Sequence, residues 1–159
     1  MAIWLKPHVP HFYSDKDVKS GLYLKIDSLV DDEVKRACKE FCHWLREQYA
    51  FPIRVTVYLK NTEYIVASDG ERVSAIFYEP YDRMEYPRIR VSKGNYLLAC
   101  NKHGKDNALA GILCSIAHEL THYFQWVRAT NDPKEKEERQ ASRCADTILR
   151  AYAGTREHP

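Results

Sequence analysis

Two histidines four residues apart, with a glutamate directly after the first, form the run His118-Glu119-Leu120-Thr121-His122. On an α-helix, positions four apart lie one turn up on the same face, so both imidazoles can point at one ion. Glu119 is rotated roughly 100° from His118, which lets its carboxylate reach a water rather than the ion. This is the spacing H-E-x-x-H, in which two imidazoles ligate zinc and the acid serves as general base. The chemistry it points to is hydrolysis of a peptide bond by activated water. A purely structural zinc site would prefer four closed protein ligands, often Cys, and would have no use for an acid beside two histidines.

The flanks predict the helix that such a motif needs. Ala108 to Ala117 precede it and Tyr123-Phe124-Gln125-Trp126-Val127 follow, apolar on most sides and therefore expected to be buried. Asp106 or Asn107 is the expected cap, and Asn131-Asp132-Pro133 ends the run. A catalytic zinc needs a third protein ligand and one open position. The next helix is expected from Asp132-Pro133-Lys134-Glu135 to about Tyr152, with Asp132 as N-cap, Pro133 at its first position and Gly154 past its end. Glu138, Ala141, Ser142, Ala145, Leu149 and Tyr152 share one face there, and the small residues would let the two helices approach closely. Glu138 is the candidate third ligand. Asp146 is the competing candidate, read as an outer or surface residue, and Glu135 and Glu137 as first-turn acids favoured by the helix dipole.

The pair H-E-L-T-H and, sixteen residues after the second His, E-R-Q-A-S-R-C-A-D-T-I-L resembles the gluzincins. More narrowly, it is similar to the ImmA/IrrE-type metallopeptidases, whose second motif reads Glu-x-x-Ala, then a further Ala and an aliphatic pair. The likeness spans roughly residues 107–152. It implies that His118, His122 and Glu138 hold one zinc ion and that Glu119 is the catalytic base. Ser142 and Cys144 stand where those relatives usually have Asn or Asp and an aromatic residue. No His or Asp follows at metzincin spacing.

The rest of the chain must position these helices. Residues 31–49 carry Val34, Ala37, Cys38, Phe41, Cys42 and Leu45 at helical spacing. Strand-like runs follow at Ile53–Leu59, Tyr64–Val66, Val73–Tyr78 and Arg88–Val91, separated by turn residues such as Asp69-Gly70 and Glu79-Pro80. Tyr96–Cys100 suits a further strand or the lead into the zinc helix. At 159 residues, with no repeat or linker, one α+β domain over 1–159 is expected: an N-terminal helix, a small mostly antiparallel sheet, the H-E-x-x-H helix and the glutamate helix. Segments 1–20 and 154–159 are expected to be peripheral. That order is the one a minimal gluzincin fold requires. In zincins an extended peptide pairs with an edge strand above the zinc helix; here Arg88–Ser92 and Val73–Tyr78 both qualify. The stretch Tyr78–Pro87 between them reads as a long hairpin loop that could also form a cleft lip.

The expected activity is that of a zinc metallopeptidase, an endopeptidase rather than an exopeptidase, acting on a peptide or protein. A binding or regulatory protein on the same scaffold and a hydrolase of a non-peptide bond are the alternatives. Among 11 Tyr and the 5 His outside the motif, no oxyanion donor can be chosen; Tyr123 and Tyr152 are expected to be packing residues. A net charge of +2 leaves no footprint for nucleic acid. No signal h-region or membrane-spanning run is present, and five Cys without secretory context suit reduced thiols, so a cytoplasmic location is expected. Cys38, Cys42 and His43 would be a second metal site only if they converged; small-hydrophobe packing is expected instead. Cys114, one turn before His118, is read the same way. Pro7–Tyr13 and the tail Thr155–Pro159 are candidate latency segments, though surface termini are the simpler expectation.

Overall fold

The computed structural model describes residues 2–7, 18–82 and 85–159. After a 3-10 turn at Ala2–Trp4 come β1 (Leu22–Ile26), α1 (Asp32–Gln48), β2 (Val55–Lys60), β3 (Ile65–Val66), β4 (Arg72–Val73), β5 (Ala75–Tyr78) and β6 (Arg88–Ser92). The helices α2 (Tyr96–His103), α3 (Lys105–Arg128) and α4 (Lys134–Ala153) complete an α+β architecture. Strict alternation makes the sheet two-faced. Val55, Val57 and Leu59 of β2 lie level with Leu22, Leu24 and Ile26 of β1, and Val57 and Leu59 with Ile89 and Val91 of β6. These residues turn one face toward α1 and α3. The opposite face carries basic side chains laid over rings, with Arg88 4.6 Å from the Tyr78 centroid and Lys25 5.8 Å from that of Tyr58.

The sheet order is β1-β2-β6-β5, and its character differs from the mostly antiparallel expectation. β1 pairs with β2 and β2 with β6 in parallel; only β5 runs antiparallel, against β6, while β3 and β4 form a separate two-stranded ladder. Parallel pairing needs a crossover, and α1 supplies it between β1 and β2. The strand β1 was not expected at all, and Tyr96–Cys100 belongs to a helix capped by the Asn95 side chain, which accepts from the Leu98 N–H at 3.1 Å. The sheet's edge in the Val73–Tyr78 region is β5, because β6 lies inside between β2 and β5.

α3 is the central helix. Leu109, Leu113, Ile116, Ala117, Leu120, Tyr123 and Phe124 are essentially inaccessible, so it buries side chains on most sides and leaves a partly open stripe through Gly111, Ser115, His118 and His122. It starts one turn boundary earlier than expected, after Gly104, and neither Asp106 nor Asn107 caps it. It ends where Ala129 takes a left-handed conformation (φ 50°), with Ala129 N–H donating to Trp126 O and Thr130 N–H to Gln125 O. Five residues later α4 begins after Pro133, so the cap falls one residue beyond the expected Asp132, whose carboxylate meets Lys136 at 3.0 Å. Ala141, Cys144, Ala145, Ile148 and Tyr152 bury the inner face of α4; Ser142 is exposed and takes no part in the close approach.

The N-terminal turn is not peripheral. Trp4 is 1 % exposed and inserts between Tyr49, Phe51 and Phe124, with centroid distances of 5.0, 6.4 and 4.7 Å. Its indole N–H donates to the Thr121 hydroxyl at 3.0 Å, and Arg128 donates to the carbonyls of Ala2, Ile3 and Leu5. The tail is tied to α1 and the start of α3, through Arg36 to the Pro159 carbonyl, Arg156 to Glu40 and His158 to Asp106. Most of the candidate latency segment Pro7–Tyr13 lies outside the described residues.

Candidate metal centre

One turn of α3 presents His118 and His122 side by side, their ring centroids 5.0 Å apart. α4 crosses beside them, held close by Ala141 and Ala145, one and two turns after Glu138, both fully buried. Glu138 therefore projects back over the histidines from the first turns of its helix. Its Oε2 lies 3.1 Å from His118 Nε2 and its Oε1 3.0 Å from His122 Nε2. The donor atoms of the three residues lie within 4.8 Å of one another. Ligands of a tetrahedral ion at roughly 2.0–2.2 Å stand about 3.3–3.5 Å apart, so the cluster needs only small adjustments to fit one. The donor set, two imidazoles and a carboxylate, suits a divalent transition ion. Asp146 lies outside this group and is exposed.

Glu119 lies on the same turn of α3, next to His118 in the chain. It is 9 % exposed, and burial pushes its carboxyl up to about 7 from an ordinary 4.5. Positive character on His122 and the Phe77 backbone N–H hold the shift back, while the Glu138 charge adds to it. His118 is pushed the other way, below 6.5, first by burial and then by neighbouring His122, against the pull of Glu138.

The Phe77 contact ties the site to the sheet edge. Ser92 N–H donates to Ser74 O at 2.9 Å, so the even-numbered residues of this strand turn their main-chain groups toward β6. Antiparallel parity then turns those of Ala75 and Phe77 outward, toward the site. Between this edge, the β3–β4 hairpin and the start of α4 lies a cleft of about 660 Å³ onto which Glu119, His122 and Glu138 open. Asp69, Glu71, Glu79 and Glu137 also line it, with Lys134 the basic residue among the lining side chains.

Several candidates do not meet the site. Tyr123 spends its hydroxyl on both backbone groups of Ile53, donating to the carbonyl at 2.6 Å and accepting from the N–H at 3.1 Å. Tyr152 is buried against Phe41 and Trp44. Cys38 and Cys42 are fully buried with thiols pushed up by desolvation, whereas His43 is exposed and faces Glu47 at 3.2 Å, so the three do not converge. Cys114 is half-buried and its thiol is likewise raised by burial.

One residue escaped the sequence reading. Gln125 is 2 % exposed, its Oε1 lies 2.7 Å from His122 Nδ1, and its Nε2 donates at 2.9 Å both to the Glu137 carbonyl and to Gln140 Oε1. The available signal was an amide three residues after His122 inside an apolar run, since a buried amide requires partners. No protein-family model, curated protein or solved structure matches the chain.

Proposed function

We propose that this protein is a zinc-dependent peptidase of the small gluzincin type, cutting within peptide chains. His118, His122 and Glu138 would hold the ion, which when bound supplies a Lewis acid that makes water acidic near neutral pH and polarises a carbonyl. Glu119 takes the proton of the attacking water and delivers it to the leaving amine. Its near-neutral proton affinity suits both halves of that exchange. The outward main-chain groups of Ala75 and the Phe77 carbonyl, with the Phe77 N–H engaged by Glu119, offer an extended substrate a strand to pair with, alongside the cleft. The observation that carries this reading is the arrangement itself: a buried carboxyl raised to about 7, next to three convergent donors, on an open cleft beside a sheet edge.

The described residues contain no helix long and apolar enough to cross a membrane, and all five cysteines are free thiols. Free thiols suit the reducing cytoplasm, where we place the protein.

The test is zinc per chain on untagged protein, for the native sequence and Glu138→Ala, followed by peptide-library digestion read by mass spectrometry. We expect about one zinc per native chain, lost or much weakened in Glu138→Ala. Cleavage should occur with native protein and disappear in Glu119→Gln while its zinc is retained. Turnover surviving in Glu119→Gln would remove the general base; a native protein that takes up no zinc would remove the whole reading. Zinc binding without cleavage would leave a binding protein on the same scaffold.

A further inference from the structure

We propose that Gln125 is a positioning residue that fixes the tautomer of His122 and, through it, aims that ring and Glu138 at one shared cation. The inference rests on the zinc reading above but follows from a separate set of contacts. The carbonyl of Glu137 can only accept a hydrogen bond, so the end of the Gln125 amide that meets it at 2.9 Å must be the nitrogen. The other end is then the oxygen, which also only accepts, and it lies 2.7 Å from His122 Nδ1. Nδ1 must therefore carry the hydrogen.

The consequence falls on the far side of the ring. A neutral imidazole protonated at Nδ1 leaves a bare lone pair at Nε2. That lone pair faces the Glu138 carboxylate at 3.0 Å, acceptor against acceptor. A positive centre shared between them relieves that contact: a proton on Nε2 serves in the metal-free protein, and a divalent ion would take its place with His118 as third donor, 3.1 Å from the same carboxylate. Gln125 contributes to the carboxylate side as well. By gripping the carbonyl of Glu137, it ties the start of α4 to α3 one residue before the ligand. A single buried amide thus sets the orientation of one ligand and the placement of another.

Two measurements test this. The first is the long-range 1H–15N spectrum of the native protein without metal at about pH 8, above the ordinary imidazole value. A hydrogen on His122 Nδ1 is expected; an Nε2–H ring with bare Nδ1 would overturn the proposal without recourse to any variant. The second is the zinc dissociation constant, by chelator competition, for native protein, Gln125→Leu, Gln125→Glu and Gln140→Leu. Losing an outer partner of a metal-ligating histidine weakens binding roughly 10–100-fold, and that loss is expected for Gln125→Leu. Gln125→Glu keeps an acceptor for Nδ1–H and should bind zinc more tightly than Gln125→Leu. Gln140→Leu, which touches only the amide's second acceptor, should stay near the native value. A folded Gln125→Leu with native zinc affinity would overturn the proposal while leaving the zinc site standing. Native protein that binds no zinc would instead remove the zinc reading, and the spectrum would still decide the tautomer.

Discussion

A carboxyl group that is nearly inaccessible and raised to about 7 leaves a mark on stability as well as on chemistry. In the unfolded chain Glu119 titrates near its ordinary 4.5. Below that value it is neutral in both states and burial carries no charge penalty. Between 4.5 and about 7 the folded state keeps a proton that the unfolded state has released, so stability falls as pH rises through that window and the loss is complete above it. His118, lowered by burial, acts in the opposite sense below 6.5, so the native curve alone mixes the two. Glu119→Gln separates them, because glutamine does not titrate. In metal-free protein the melting temperature of Glu119→Gln relative to native should climb from about pH 4.5 to about pH 7 and then level off. A difference independent of pH would show that Glu119 is not desolvated. At this scale the convergence of His118 and His122 was legible in the sequence, because it follows from helical rotation alone. Glu138 was legible because small residues at 141 and 145 mark a close helix contact. Gln125 was not, because its meaning depends on the Glu137 carbonyl and Gln140, partners that only helix packing supplies.

The helices carrying His118, His122 and Glu138 are joined by the short link after Arg128, and its geometry decides where Glu138 sits relative to the histidines. That link opens on Ala129 with φ 50°, a conformation that costs an L-residue roughly 1–2 kcal/mol because its Cβ crowds the following carbonyl. Ala129→Gly should therefore stabilise the fold by about 0.5–1 kcal/mol, read from urea unfolding, and leave zinc affinity intact. A destabilised Ala129→Gly would mean that the Ala129 methyl makes contacts worth more than the conformational cost. The helices were well defined in the sequence, since caps and apolar spacing are local signals. Strand direction was not. Whether β1, β2 and β6 run parallel depends on α1 crossing over between partners far apart in the chain, and no residue within a strand encodes that. The choice of edge strand, left open in the sequence between Arg88–Ser92 and Val73–Tyr78, has the same origin: only the assembled order puts β5 at the edge.

Across the whole molecule, the site depends on parts that never touch it. Trp4 closes the far side of α3 from the start of the chain, against Tyr49, Phe51 and Phe124. Trp4→Ala should cost about 3–5 kcal/mol of stability in urea unfolding, since it leaves a large cavity and removes the Thr121 hydroxyl's indole donor. Loss of less than about 1 kcal/mol would show that the turn packs loosely. A lone tryptophan in the short run Ile3-Trp4-Leu5 before Lys6-Pro7 carries no periodicity, so its burial could not be read in advance. The same contact has a consequence in time. Trp4 and Thr121 are 117 residues apart, and ribosomes add about 5–20 residues per second. For on the order of ten seconds of each round of synthesis, that indole has no Thr121 to meet. A newly made chain therefore cannot complete the packing around Trp4 until α3 arrives, so this contact forms late in synthesis however early its tryptophan is made.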